Sequence, residues 1–405
     1  MKKSYLIVLM LTVLMSAFTS CKNDDNDIGT VFTIKISPDY SPDPAEADYF
    51  FASDSLGNVL DTKLIEIGKD VNLTINKPLN KINLTLCRLF KTEAQEAHTI
   101  STFLNVPIDQ SINFASIAKG PPAPIGSAKI TISNFTGIIN SLIISNGYDN
   151  DAALNGYVNS QELNNKILKT EINLVQNNSE IVLNGLRKSA TGYDPVYFSL
   201  KGVNTGDDIS IDYDNFLAYP KKLEVNLTGF LSGSIMGFKG QEKNEGHWLH
   251  TMSNVLSLPF LGYLDGYNNY LTSIASYETK PSVSYTKFGG IPTSINLSKP
   301  SVNIISEGLN NFNYSFSEPY TYRRSFWFYD ENSNYFSWFV HGEKSNQKVA
   351  LPEEILNKYN FLPVDKLKYG GSTFTKCIDG SYDGHIKEYF TGDRTNYEFY
   401  RYSGF

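Results

Sequence analysis

Two histidines three residues apart, His247 and His250, stand in Gly246-His247-Trp248-Leu249-His250, with Glu242 and Glu245 just before them. The residues Trp248, Leu249, Met252, Val255 and Leu256 share one helical face, with Pro259 as a stop. On such a helix both imidazoles would reach one metal ion. The spacing H-E-x-x-H, which seats a glutamate beside zinc as base, is absent, so the expectation is packed or surface histidines and no metal. Asp379-Gly380-Ser381-Tyr382-Asp383-Gly384 sets oxygen ligands at alternate positions before a glycine, as a calcium loop opens. Its twelfth position, where a bidentate acid should close the shell, is Phe390. Asp208, Ser210, Asp212 and Asp214 would line one face of a strand and read more simply as its solvated side.

Nucleophile patterns give little. G-x-S-x-G, C-x-x-C and G-x-x-x-x-G-K do not occur. S-x-x-K occurs at Ser116/Lys119, Ser284/Lys287 and Ser345/Lys348 without the companion S-D-N and K-T-G motifs. A glycosidase pair of carboxylates can lie far apart in sequence, and among 42 acidic residues no two are singled out. No cofactor is expected.

The densest feature is aromatic. Between Phe312 and Val340, 13 of 29 residues carry rings, among them the contiguous Phe326-Trp327-Phe328-Tyr329 and the pair Trp338-Phe339. Such residues favour strands and fill sandwich cores. Neighbours along a strand point to opposite faces, so one face of this run exposes rings unless another layer covers it. Trp327, Tyr329 and Trp338 are therefore the candidate sugar-stacking residues.

The elements that must position these groups are strands. Phe32, Ile34 and Ile36 alternate with polar residues, as do Ile82, Leu84 and Leu86. Between them Tyr49 to Leu60 reads as two strands about a Gly57-Asn58 turn. Ala118 to Pro124 holds three prolines, which cannot donate ladder hydrogen bonds, and reads as a stiff linker. A second β-set runs from Ile130 to Tyr213, with Leu163 to Leu168 as one short helix. Tyr219-Pro220 is a weaker boundary. Beyond it β alternation returns, and Pro352-Glu353-Glu354 has the chemistry of a helix first turn. The expectation is an all-β, mainly antiparallel fold of tandem Ig-like or β-sandwich domains with a few short helices. The domains are residues 31–118 and 126–218, followed by a larger β-rich region over 219–405 of one or two domains.

The chain of 405 residues carries 35 basic and 42 acidic side chains, a net charge of −7. Without its first 20 residues, which hold two lysines and no acid, the charge is −9. A mildly acidic protein with no basic stretch is a poor partner for nucleic acid. Besides Cys21 it has only Cys87 and Cys377, far apart in sequence, which read as unpaired.

The start of the chain is an address. Lys2 and Lys3 precede an apolar run, Tyr5 to Ala17, too short for a span of about 20 residues. Phe18-Thr19-Ser20-Cys21 follows and resembles the lipobox of bacterial lipoproteins. The resemblance implies that residues 1–20 are a signal peptide and that Cys21 is acylated as the first mature residue. Lys22-Asn23-Asp24-Asp25-Asn26-Asp27 resembles the acidic export signal of Bacteroides-type surface lipoproteins, within a tether of residues 21–30. It implies an outer-membrane, outward-facing location, with the lipid at Cys21 as the membrane contact. Asp54-Ser55-Leu56 is similar to the O-glycosylation acceptor of such exported proteins.

These readings converge on a surface-anchored binding or scaffold module whose partners are polysaccharide or other surface proteins. The alternatives are a glycan hydrolase with dispersed carboxylates and a purely structural or adhesive surface component. A cleft with two facing acids would mark the hydrolase, and an exposed aromatic face would mark binding.

Overall fold

The computed structural model describes residues 29–42, 46–114, 123–147, 166–190, 192–239, 246–277, 280–331, 334–343, 348–359, 362–392 and 397–405. Cys21, the acidic cluster behind it, most of the Pro-rich linker, Leu163, Glu242, Glu245, Ser116, Lys119 and Ser345 lie outside them.

The first seven strands are β1 (Thr30–Ile36), β2 (Glu46–Ser53), β3 (Val59–Leu64), β4 (Val71–Ile75), β5 (Lys81–Lys91), β6 (Glu96–Pro107) and β7 (Ile112–Phe114). They make two layers, β4-β1-β7 against β3-β2-β5-β6. Phe32 and Ile34 of β1, Leu73 of β4 and Phe114 of β7 bury against Phe50, Leu84, Leu86 and Phe103. The alternation in β1 and β5 exists to fill that layer.

A second sandwich repeats the plan. Its strands are β8 (Gly126–Ser133), β9 (Ile143–Ser145), β10 (Leu168–Leu174), β11 (Ser179–Ser189), β12 (Gly192–Val203), β13 (Asp208–Asp212) and β14 (Leu217–Ala218). Sheets β10-β8-β13 and β14-β12-β11-β9 enclose Ile130, Ile132, Leu168, Leu174, Ile181 and Leu183. The strand pairs β4–β1, β1–β7, β2–β5 and β5–β6 recur in order and sense as β10–β8, β8–β13, β9–β11 and β11–β12. In both units the first strand is parallel only to the last of its sheet. The helix expected at Leu163 to Leu168 ends, at Leu168, in strand β10.

The remaining strands are β15 (Lys221–Phe238), β16 (Gly246–Tyr263), β17 (Asn269–Ser276), β18 (Ser282–Gly289), β19 (Val302–Ser306), β20 (Asn313–Phe316), β21 (Tyr322–Glu331), β22 (Asn334–Gly342), β23 (Lys368–Cys377) and β24 (Glu398–Ser403). The helices are α1 (Glu353–Lys358) and α2 (Tyr382–Thr391). All but the hairpin β19–β20 join the first sandwich in one twelve-stranded sheet, β16-β15-β17-β18-β24-β23-β21-β22-β6-β5-β2-β3. The joint is a parallel ladder from Tyr335↔Ala97 to His341↔Phe103. The sheet of the first sandwich thus continues into the strands beyond residue 219. The equivalent strands β6 and β12 each need an edge partner. β12 takes β14, close in sequence, whereas β6 takes β22 from the far end of the chain.

One expected element is corrected, β16. The expected helix over Trp248 to Pro259 is the outermost strand of the large sheet. Its ladder with β15 shifts register four times, and two of these shifts place the extra residue on β16, between Trp248 and His250 and between Met252 and Val255, so its apolar positions leave strict alternation and imitate a helical period. Pro259 is tolerated because an edge strand leaves amides unpaired. At Pro352-Glu353-Glu354 helix α1 does begin, with both glutamates in its first turn. Among the described residues no helix is long and apolar enough to cross a membrane.

Candidate functional site

The aromatic run occupies β20, β21 and β22, and its two faces have different fates. Trp327 and Trp338 are opposite each other in the ladder and share a face. Both are buried, at 1% and 0% exposure. The second layer over them is the β19–β20 hairpin together with the stretch from Val349 through α1 to Leu362. The ring of Phe312 meets Trp327 edge-on at 5.4 Å, and the indole N–H of Trp327 donates to the Glu307 carbonyl at 2.6 Å. Trp338 donates to Thr102 Oγ1 at 2.9 Å, which in turn bonds Thr85 Oγ1. Stacking a sugar requires an open ring face, so neither tryptophan can serve, and the binding expectation for both is corrected. Tyr329, at the end of the same face, is half-buried. Its hydroxyl bonds Glu331, which raises its pKa.

Arg323 lies on this covered face, 2% exposed and with no carboxylate in contact among the described residues. Its guanidinium sits over Phe312 at 4.7 Å and Tyr314 at 5.1 Å and donates to Ser325 Oγ at 2.8 Å. Ring faces thus replace the counter-ion. Burial pulls its pKa down.

The opposite face of the same strands remains partly open. Phe326 faces Phe339 across the ladder, with centroids 5.6 Å apart and planes nearly parallel, and Phe328 continues the row at 6.1 Å. All three are half-buried, and Tyr335 is 38% exposed. A Cβ at Gly370 would lie 2.2 Å from the Phe326 ring, so glycine there lets the ring lie flat on β23. Arg324 adds its guanidinium 4.8 Å from Phe339. The sequence pointed to Trp327 and Trp338 for an open aromatic face, whereas the face left partly open is that of Phe326 and Phe339. The signal for the correct one is Gly370-Gly371, which marks where a ring lies over the backbone.

The histidines are structural. His247 packs against Tyr267 at 5.9 Å and abuts Gly147 of the second sandwich. His250 stacks on Tyr219 at 5.1 Å, and its Nδ1 accepts the Gly262 amide at 2.6 Å. Burial depresses its pKa to about 3, leaving it neutral. Around them the second sandwich is bonded to the large sheet. Trp248 N donates to Ser145 Oγ at 3.0 Å, and Asn184 Nδ2 donates to the Trp248 carbonyl at 3.1 Å. Ser381, within the calcium-like run, caps α2 by accepting the Gly384 amide. Asp208 to Asp212 lie on β13 at a sheet edge, and Asp212 accepts from Asp214 N and Asn134 Nδ2. Among the described residues no group of three or more His, Cys, Asp or Glu is placed to hold a metal ion. Lys287 of the Ser284/Lys287 pair is engaged by Glu398 at 3.0 Å. Ser55 is exposed at the β2–β3 turn, while the Asp54 carboxylate is taken by Lys77 and Asn58, which hold its pKa near 2 against the effect of burial. Cys87 and Cys377 are free thiols, both pushed to higher pKa by burial.

A cavity of about 90 Å³ lies between β7 and α2, lined by Val106, Ile112, Asn113, Asp383, Ile386 and Lys387. Small-molecule sites are usually ~300–1,000 Å³, so this one suits solvent better than a sugar. No known family model matches the sequence, and no curated protein matches it.

Proposed function

We propose that the protein is a surface-anchored lipoprotein whose folded part is a rigid binding or scaffold module. The observation that carries the scaffold role is the β6–β22 ladder, which joins β2, β3, β5 and β6 of the first sandwich to eight C-terminal strands in one twelve-stranded sheet. Such a body presents its outer surfaces in fixed relation to a single tether. The anchor rests on Phe18-Thr19-Ser20-Cys21, and outward display on Asp24, Asp25 and Asp27 behind it. Several acyl chains anchor firmly, because each buried methylene contributes about 0.8 kcal/mol. Protease shaving of whole cells tests the display. Wild type is digested, and the variant with those three aspartates replaced by alanine stays acylated but protected. Equal digestion of both would remove any role for the cluster.

A further inference from the structure

The open face of β21 and β22 continues across β23 to β24, and it carries two exposed arginines, Arg324 and Arg401. Each guanidinium is laid on a ring, Arg324 over Phe339 at 4.8 Å and Arg401 over Phe399 at 5.0 Å. Among the described residues neither guanidinium has an ion-pair or hydrogen-bond partner. In a protein of net charge −7, two neighbouring arginines without carboxylates are unusual. Each keeps free the fork of donors that matches a carboxylate or sulfate bidentately. They also act on each other: burial first and Arg401 second push the pKa of Arg324 down. Glu388 on α2 acts on Tyr322 of the same face, and Asp330 stands at the far end of β21.

Beside the arginines runs the row Phe339, Phe326 and Phe328, and Tyr389 of α2, 41% exposed, borders it. This strip lies in the interior of the sheet, where every strand is already paired on both sides. An extended peptide adds to sheets through free edge amides, and none is offered here. A sugar chain needs only ring faces and charged donors.

We propose that this strip binds an acidic polysaccharide, whose uronate or sulfate groups pair with Arg324 and Arg401 and whose sugar faces stack on Phe326 and Phe328. The proposal specifies a ligand for the surface module and does not depend on the anchor, because its test is made in solution. Full-length protein in non-ionic detergent is titrated with polygalacturonate, dextran sulfate, neutral dextran and polyglutamate. Binding is expected for polygalacturonate, dextran sulfate or both, and the two together show whether carboxylate or sulfate is preferred. It should weaken with salt and be absent for dextran. Arg324→Gln with Arg401→Gln, both at exposed positions, should lower affinity at least about tenfold with an unchanged melting temperature. Phe328→Ala should weaken binding with both arginines present. Three results would overturn the assignment: no binding to either anionic polysaccharide, full affinity in the folded double-arginine variant or in Phe328→Ala, or polyglutamate bound as tightly as the sugars.

Discussion

His385 Nε2 on α2 lies 3.1 Å from His341 Nδ1 on β22, inside a stack formed by Tyr322 at 3.8 Å and Phe103 at 4.4 Å. One ring must donate and the other accept, so the contact exists only while at least one is neutral. Arg324 and Arg401 lie on the same side of the sheet as the pair and, after burial and the mutual repulsion felt at His341, oppose its protonation. This contact, with Tyr382, Ile386 and Phe390, seats α2 on the sheet.

Acid should therefore weaken the protein. Burial brings the His385 pKa to about 3 and that of His341 well below 6.5. A depressed histidine contributes its full stability above the unfolded value of about 6.5 and loses it as pH falls toward the folded one. Each such group adds a slope of about 1.4 kcal/mol per pH unit across that window. His98 and His250 are depressed as well and steepen it. Urea titrations between pH 7 and pH 4 should show the decline. His385→Phe, which keeps a ring on Tyr322, should reduce the slope by one group's share. An unchanged slope would mean that His385 is not buried neutral.

The chain has three tryptophans, and two of them are sealed. Acrylamide should quench Trp248 and leave Trp327 and Trp338 largely protected. Trp327→Ala or Trp338→Ala should cost about 3–5 kcal/mol, as expected for a large ring removed from a core. Trp338→Phe should cost less, about 1–2 kcal/mol, because Thr102 loses one of its two partners and the smaller ring fills less of the core. Ready quenching of all three indoles would put the rings at the surface after all.

Gly370 is a test of the open face. Alanine there meets the Phe326 ring and should destabilise by about 1–3 kcal/mol. In a Phe326→Ala background the same change should be nearly neutral, since the clashing atoms are gone. Equal penalties in both backgrounds, read from denaturant midpoints, would show that the ring does not lie on Gly370.

The strands with one buried face were readable because burial on one side imposes a period of two, as in Phe32-Ile34-Ile36. Where both faces are buried the pattern blurs. Asn83 and Thr85 read as solvent positions, yet each is 1% exposed, held by bonds to the Asp54 carbonyl and to Thr102. For the same reason Trp327 and Phe326 could not be assigned to sides from sequence. β16 was misread because bulges disrupt its period. The parallel joint of β22 to β6 leaves no local mark, since its partners come from opposite ends of the chain. α1 was readable because its first turn carries its own signal, Pro352 followed by two acids.

The most direct test of the account is metabolic labelling with palmitate in wild type and Cys21→Ala, followed by membrane fractionation. Wild type should take up label and sediment with the outer membrane, whereas Cys21→Ala should be unlabelled and either released or left as uncut precursor. A Cys21→Ala protein that still incorporates palmitate and remains membrane-bound would contradict the anchored-scaffold reading.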